Sequence, residues 1–286
     1  MTRLTPDMIH NVPYVMTDRD LQLSRAVGMD LKGLAYEALG LGAQDLSMEG
    51  LLVASVPVTS GENTISGFSE SVCSVAEHLG AHSFVTKKTD VAGFREALEA
   101  RADIVFMADD EEFVAFNVHA GKAADNTRST ALGYFTALRK AAGPLDGKDV
   151  LLIGAGRVGS EAAGMLAASG AMVTVVDAEP GKAEALADRH RHFRAENDLE
   201  SAVRGASLIY NASPARIPGG WVREGAVVVS PGMPYSFDAE GLRKMRVLVH
   251  DPLQIGVAVM AVWSASMSLS RQVVPQHGAA IVEAIS

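Results

Sequence analysis

The stretch V-L-L-I-G-A-G-R-V-G, residues 150–159, carries an apolar run directly into Gly154-x-Gly156-x-x-Gly159. The three glycines meet separate steric needs. Gly154 allows a tight strand-to-helix turn, Gly156 lets backbone approach a pyrophosphate, and Gly159 permits close packing of the helix on the sheet. The unpaired N–H groups and positive dipole end of the helix that follows suit phosphates. Glycines alone punctuate loops for conformational reasons, so the surroundings decide. Residues 157–168 are rich in helix formers with Gly170 as the stop, and a second apolar run, 172–176, ends at Asp177. A carboxylate there accepts from the ribose 2′- and 3′-hydroxyls and repels a 2′-phosphate, so NAD is expected over NADP. Arg157 and Val158 lie inside the motif and join the expected cofactor contacts. Arg157 either meets a phosphate or stands as a solvated arginine flanking it.

A chain of 286 residues predicts two domains, each large enough for its own core. Its 48% hydrophobic and 21% charged residues are ordinary for a globular protein. A net charge of −9 repels phosphates, which argues against nucleic acid or an anionic membrane as partner. The single cysteine, Cys73, excludes an internal disulfide and reads as a small buried hydrophobe in a helix over 69–79, consistent with a reducing compartment. The opening M-T-R-L-T-P-D-M-I-H lacks the apolar core of a signal peptide, so a cytoplasmic location is expected. Residues 254–269 form the most apolar stretch, interrupted by Trp263, Ser264, Ser266 and Ser268. We read them as a buried helix at a domain or subunit interface rather than a membrane span. Left uncovered, that helix would offer a homodimer surface.

Thr5-Pro6-Asp7 is a helix start, and a helix is predicted from there toward Val27. An apolar strand over 51–58, a helix capped by Ser69 and stopped at Gly80, strands over 82–86 and 103–108, and a helix over 91–100 give β-α-β-α-β. That order implies a parallel sheet with right-handed crossovers. A helix over 127–142 closes at Gly143-Pro144, and 145–148 form a polar hinge, dividing the chain into 1–147 and 148–286. Beyond it, strands over 206–210, 226–229 and 247–250 each empty into a turn: N-A-S-P, S-P-G-M-P and D-P-L-Q-I-G. The fold class is therefore α/β, a C-terminal Rossmann-type doubly wound parallel sheet plus a smaller N-terminal α/β domain, with the active site in the interdomain cleft.

Ligands of open parallel sheets sit at the carboxyl ends of the strands. By that rule Ala212, Ser213, Pro231, Gly232 and Asp251 border the nicotinamide, and the turns 59–71 and 109–112 open toward a substrate in the cleft. In Asp109-Asp110-Glu111-Glu112 the first two acids leave the strand first and are candidates to hold a cationic substrate such as an amine. Glu111 and Glu112 read as solvated. Asn126 is either part of a helix-capping cluster or a substrate contact, and the residues leave both open. The sequence contains no Ser-His-Asp order, metal pair or H-E-x-x-H, and no metal site is expected. His119, His190 and His192 sit in turn-like or charged stretches and receive no chemistry.

V-P-V-T-S-G at 56–61, F-S-E-S at 68–71, M-A-D-D at 107–110, Asn126, the glycine motif and S-P-G-M-P at 230–234 together span nearly the full length. In these the chain resembles the PylD family of pyrrolysine-forming dehydrogenases. The resemblance implies NAD-dependent oxidation of the terminal amine of 3-methyl-D-ornithyl-Nε-L-lysine, release of ammonia, and closure of the aldehyde on the ornithine α-amine to form the pyrroline ring. It further implies that Ser60, Phe68, Ser69, Asp109 and Asn126 line a dipeptide pocket, that Asp110 supports them, and that the amino-terminal helix with Leu4 closes over it. Asp251 stands where the family has a glutamate in E-P-L-G-I-G. Asp109, Asp110 and Asp251 are the candidate catalytic acids, and none declares itself the general base.

Two other readings compete. Asn126-Thr127-Arg128 is similar to the N-T-D of shikimate dehydrogenases, but Arg128 replaces the acid and no lysine lies in the loop 60–67. The other is a dinucleotide-binding sensor without turnover, since binding and catalysis use the same turns.

Overall fold

The structure, a computed structural model, describes residues 4–60 and 65–269. The amino-terminal half begins with α1 (Pro6–Ile9), α2 (Met16–Val27) and α3 (Leu31–Ala38). A sheet follows, built from β1 (Leu52–Val56), β2 (His82–Val85), β3 (Ile104–Ala108), β4 (Phe113–Asn117) and β5 (Lys122–Asp125). Between its strands run α4 (Phe68–His78) and α5 (Asp90–Glu99), and α6 (Asn126–Ala142) leads out of it. The second half contains β6 (Asp149–Ile153), α7 (Arg157–Ala168), β7 (Met172–Val176), α8 (Pro180–Ala187), β8 (Phe193–Ala195), α9 (Leu199–Gly205) and β9 (Leu208–Asn211). It ends with β10 (Val227–Val229), α10 (Ala239–Lys244), β11 (Val247–Val249) and α11 (Gln254–Ser266).

The second sheet is parallel throughout, in the order β11-β10-β9-β6-β7-β8. Its switch point lies between β6 and β9, the doubly wound arrangement that opens a ligand crevice there. The register of that pair, Ile153 opposite Asn211, puts the glycine turn and the turn after β9 side by side. Buried Val, Ile and Leu on β6, β7 and β9 explain why these strands read as continuous apolar runs: helices cover both faces.

The first sheet departs from the sequence expectation. Its β2-β1-β3 core is parallel as predicted, but β4 and β5 add an antiparallel hairpin to its edge. The D-D-E-E turn consequently joins two antiparallel neighbours, with the Asp109 N–H donating to Glu112 O at 2.9 Å. The helix expected over 5–27 is three pieces, because Pro13 falls inside a short 3-10 turn, Val12–Tyr14, that separates α1 from α2. Ser69 is not the cap of α4: Gly67, at φ +82°, takes that place and Ser69 is buried in the first turn. Cys73 is buried as expected, and desolvation pushes its thiol up to about 11.

The apolar helix α11, expected to offer a dimer surface if uncovered, is largely covered by the chain itself. Its residues from Gln254 to Val262 are all buried within the chain, packed on α3, α4, α6 and the β4–β5 hairpin. A helix placed by sequence with the dinucleotide half thus lies against the first sheet. No helix among the described residues is long and apolar enough to cross a membrane. Two glycines let α6 and α11 come close: a Cβ at Gly133 would strike Ile255, and one at Gly256 would stand 2.6 Å from Thr130 Oγ1 and 2.9 Å from Asn126 Oδ1.

Buried Asn117 on β4 fastens the far end of α11. Its Nδ2 donates to Ser264 O at 2.7 Å and Ser268 Oγ at 2.9 Å, and its Oδ1 accepts from Ala120 N at 2.7 Å. Replacing it leaves buried partners unsatisfied. Asn117→Ala is expected to lower the unfolding free energy by about 1–3 kcal/mol in denaturant titrations, with dinucleotide affinity unchanged.

Candidate active site

The two sheets direct the carboxyl ends of their strands at one cavity of about 760 Å³, within the range of roughly 300–1,000 Å³ common for small-molecule sites. From the first half it is lined by Val56–Val58 after β1, the start of α4, Asp109 and Asp110 after β3, and Leu4–Pro6 at the start of α1. From the second half come Val158, Pro231, Met233 and Asp251. One face of α6, Asn126, Thr130 and Tyr134, spans the gap. The cavity therefore gathers ten of the residues singled out in the sequence: Leu4, Ser60, Phe68, Ser69, Asp109, Asp110, Asn126, Val158, Pro231 and Asp251.

The remaining candidates form the dinucleotide turn beside it. Gly154 adopts φ +95°, and a Cβ there would stand 3.0 Å from the Ala212 carbonyl. A Cβ on Gly159 would run into the Gly154 carbonyl oxygen, and one on Gly232 into Ser213 O. Gly154, Gly159, Ala212, Ser213 and Gly232 are therefore packed backbone to backbone across the switch point. Gly156 differs, for beyond its own chain neighbours nothing among the described residues lies within 4 Å of the Cβ position. Protein packing does not demand a glycine there, whereas backbone access for a pyrophosphate does. Asp177 Oδ2 accepts from Ala155 N at 2.7 Å and Oδ1 from Glu179 N at 2.8 Å. Each oxygen retains a lone pair for a ribose hydroxyl. The residues present thus fit a nicotinamide dinucleotide.

Arg157 is exposed and reaches across the cleft, donating from Nη1 to Glu111 O at 2.8 Å. The first residue of the phosphate-binding helix is thereby linked to the acidic turn of the other sheet. Within that turn Asp109 Oδ1 accepts from Glu111 N and Glu112 N, both at 2.8 Å. These backbone bonds hold the Asp109 carboxyl below its ordinary value. One oxygen of Asp109 is thus committed to shaping the turn. Asn126 is the first residue of α6; Asp125, not Asn126, caps the helix by accepting from Arg128 N at 2.9 Å. Asn126 Oδ1 accepts from Thr130 Oγ1 at 3.2 Å.

Asp251 is the least accessible acid of the cavity, 3% exposed, on the turn between β11 and α11. Oδ1 accepts from Leu253 N at 3.1 Å and Ile255 N at 3.3 Å, capping α11. Oδ2 accepts no hydrogen bond among the described residues. The Tyr134 hydroxyl holds the backbone on both sides, donating to Asp251 O at 3.0 Å and accepting from Asp251 N at 2.8 Å. Burial, helped by the Asp251 charge, raises the Tyr134 pKa well above its ordinary value, so the hydroxyl keeps the proton it donates. Sequence reasoning missed Tyr134 and Thr130, although both repeat from Asn126 at the four-residue spacing of one helix face.

His119 pairs with Asp103 at 2.8 Å and the His190 ring lies 4.6 Å from that of Phe193, so neither faces the cavity. Arg128 stands 5.7 Å from the Trp263 ring centroid.

A doubly wound dinucleotide sheet facing a second α/β unit over an acid-lined cavity defines a nicotinamide-dinucleotide-dependent dehydrogenase. Residues 8–124 match the family model of the pyrrolysine biosynthesis protein PylD, N-terminal domain, and residues 136–218 that of shikimate/quinate 5-dehydrogenase. The chain is 34% identical to the pyrrolysine synthase of Methanosarcina acetivorans over 91% of its own length and 98% of the relative's. It is 33% identical to that of Methanosarcina barkeri over 91% and 97%. The chain belongs to the PylD family. Among solved structures, methylenetetrahydrofolate dehydrogenase/cyclohydrolase of Campylobacter jejuni is similar in fold (TM-score 0.53, 17% identity, 94% of this chain and 99% of that one). So is quinate dehydrogenase of Corynebacterium glutamicum in complex with NAD (TM-score 0.51, 15% identity, 77% and 93%).

Because a Cβ at position 159 has nowhere to go but into the Gly154 carbonyl, Gly159→Ala is expected to displace the turn. NADH titration by fluorescence should then show at least about a tenfold loss of affinity, a change of ~1.4 kcal/mol.

Proposed function

We propose that this chain uses NAD to oxidise the terminal amine of 3-methyl-D-ornithyl-Nε-L-lysine, the last step toward pyrrolysine. One observation carries the reading: Asp251, in the wall of a cavity that Val158 of the glycine motif also lines, keeps a buried carboxylate oxygen that has no hydrogen bond among the described residues and only the Arg19 guanidinium, at 3.6 Å, as an ion-pair partner. A buried acceptor of that kind is costly unless a donor arrives, and an ammonium supplies one with charge. Asp109 and Asp110 add negative charge at the mouth. The N-termini of α4 and α6 open on the same cavity and suit the carboxylate of an amino acid. Acids and helix starts together favour a zwitterion over a neutral hydroxyacid.

When bound, the nicotinamide accepts the hydride from the carbon that bears the amine. The nitrogen lone pair becomes the second bond of an iminium, water adds and ammonium leaves, and the resulting aldehyde condenses with the α-amine, returning one water. The chain's part is to bind the ammonium at Asp251 and hold the backbone there through Tyr134. The apolar surfaces of Leu4, Phe68 and Phe113 exclude bulk water. Asp177 supports NAD over NADP, since a 2′-phosphate would be repelled by its carboxylate. The lone unpaired cysteine suits a reducing, cytoplasmic setting.

Mixing the protein with NAD and the synthetic dipeptide should raise NADH absorbance and release one ammonia per NADH, with NADP far less effective. Asp177→Ala should weaken NAD binding and narrow the gap to NADP. NADH formed with shikimate or quinate instead would favour the hydroxyacid reading, and binding of NAD without turnover of any amine or hydroxyacid would favour a sensor.

A further inference from the structure

Asp251 lines the main cavity, and its ion-pair partner Arg19 lines a second groove. With Asp251 in the cavity wall are Tyr134, Asn126 and Leu253; the second groove, shallower and of about 460 Å³, is bordered by Arg19, Tyr235, Arg246 and His250. Arg19 is on α2. Its Nη2 donates to His250 O and stands 3.6 Å from Asp251 Oδ2, while Nη1 donates to Gln22 Oε1 at 3.2 Å. The two charged side chains are 11% and 1% exposed, so the pair is screened little by solvent. Its geometry is that of an ion pair without a direct hydrogen bond.

We propose that Arg19 is a positioning residue that sets the protonation of the substrate amine, by offsetting the Asp251 charge so that the carboxylate orients the nitrogen without retaining its extra proton. The inference rests on the reading that Asp251 receives the reacting amine. Hydride can leave only from a carbon whose nitrogen has a free lone pair, so the ammonium must first release one proton to solvent. An uncompensated buried carboxylate opposes that release because it favours the cationic form. A guanidinium behind the carboxylate acts in the opposite sense, lowering the pKa of the amine in front.

The other charged or titratable groups around the position are few. On α6 there is Tyr134, which stays protonated. His250 adjoins Asp251 and lies with its ring 4.9 Å from that of Tyr235; burial, foremost, lowers its pKa, so it is neutral where the amine titrates. Asp109 and Asp110, from the β3–β4 turn, and Glu70, from α4, are exposed at the mouth. Arg19 is thus the basic side chain that stands against Asp251 itself.

The test reads the amine directly. Dipeptide labelled with ¹⁵N at its terminal amine, bound with NADH so that no oxidation occurs, is titrated by NMR. In the unaltered protein the bound amine should titrate at or below its free-solution value. In Arg19→Gln it should rise by about one pH unit or more, and the acid limb of kcat, which reports the bound complex, should move up equally, with kcat recovering at high pH and KM not raised. Arg19→Lys, which keeps a cation, should restore most of the shift. A bound amine that titrates above its free value in the unaltered protein overturns the proposal, as does an Arg19→Gln variant with an unmoved amine. If Arg19→Gln does not fold, the titration of the unaltered protein decides alone. Failure of the dipeptide to bind or to reduce NAD in the unaltered protein would instead remove the functional reading on which the inference stands.

Discussion

The close approach of α6 and α11 is the constraint on which the rest of the structure depends. Gly133 gives way to Ile255 and Gly256 gives way to Asn126 and Thr130, so the two helices meet where any side chain would hold them apart. Helix α6 leaves the first sheet and packs against α7 and β10 of the second, while α11 leaves the second and packs beneath the first. The two exchanged helices place the strand ends of both sheets against one cavity. The residues that face it from α6, Asn126, Thr130 and Tyr134, are part of the same joint. Positioning of substrate and cofactor therefore depends on interior packing density, where a small displacement is costly.

Charge is arranged with equal economy. On a chain of net charge −9, acids are expected almost anywhere, so an acidic turn by itself says little. Asp109 and Asp251 differ in what surrounds them. Asp109 is exposed and uses one oxygen to shape a hairpin turn. Asp251 is buried, anchored through its backbone by Tyr134 and counterbalanced by Arg19, with one oxygen that has no hydrogen bond among the described residues. The buried acid is the one we propose meets the substrate amine. Arg157 adds a link between halves, since its bond to Glu111 O ties the phosphate-binding helix to the turn that Asp109 stabilises.

Much of the second sheet was legible in the sequence because its signals are local. The run into Gly154, the helix formers after Gly159 and the second run ending at Asp177 follow one another closely along the chain, and each glycine reports its own steric surroundings. The β4–β5 hairpin was not legible, for F-V-A-F-N and K-A-A-D are short and follow four acids that read as an exit to solvent. The apolarity of α11 announced burial but not what covers it, and a subunit interface and an interior look alike to a periodicity argument. Arg19 carried no signal at all: its partner lies 232 positions away, 251 minus 19, and only the folded chain brings them together. The candidate acids were found because strand ends in parallel sheets face the ligand; their ranking required burial and hydrogen bonding.

The most direct test is a crystal structure of the protein with NADH and the dipeptide bound together. The pyrophosphate should lie over Gly156, the terminal amine within hydrogen-bonding distance of Asp251 Oδ2, and the carbon bearing it should face the nicotinamide. An amine turned toward the mouth of the cavity, with Oδ2 facing only Arg19, would contradict the central claim.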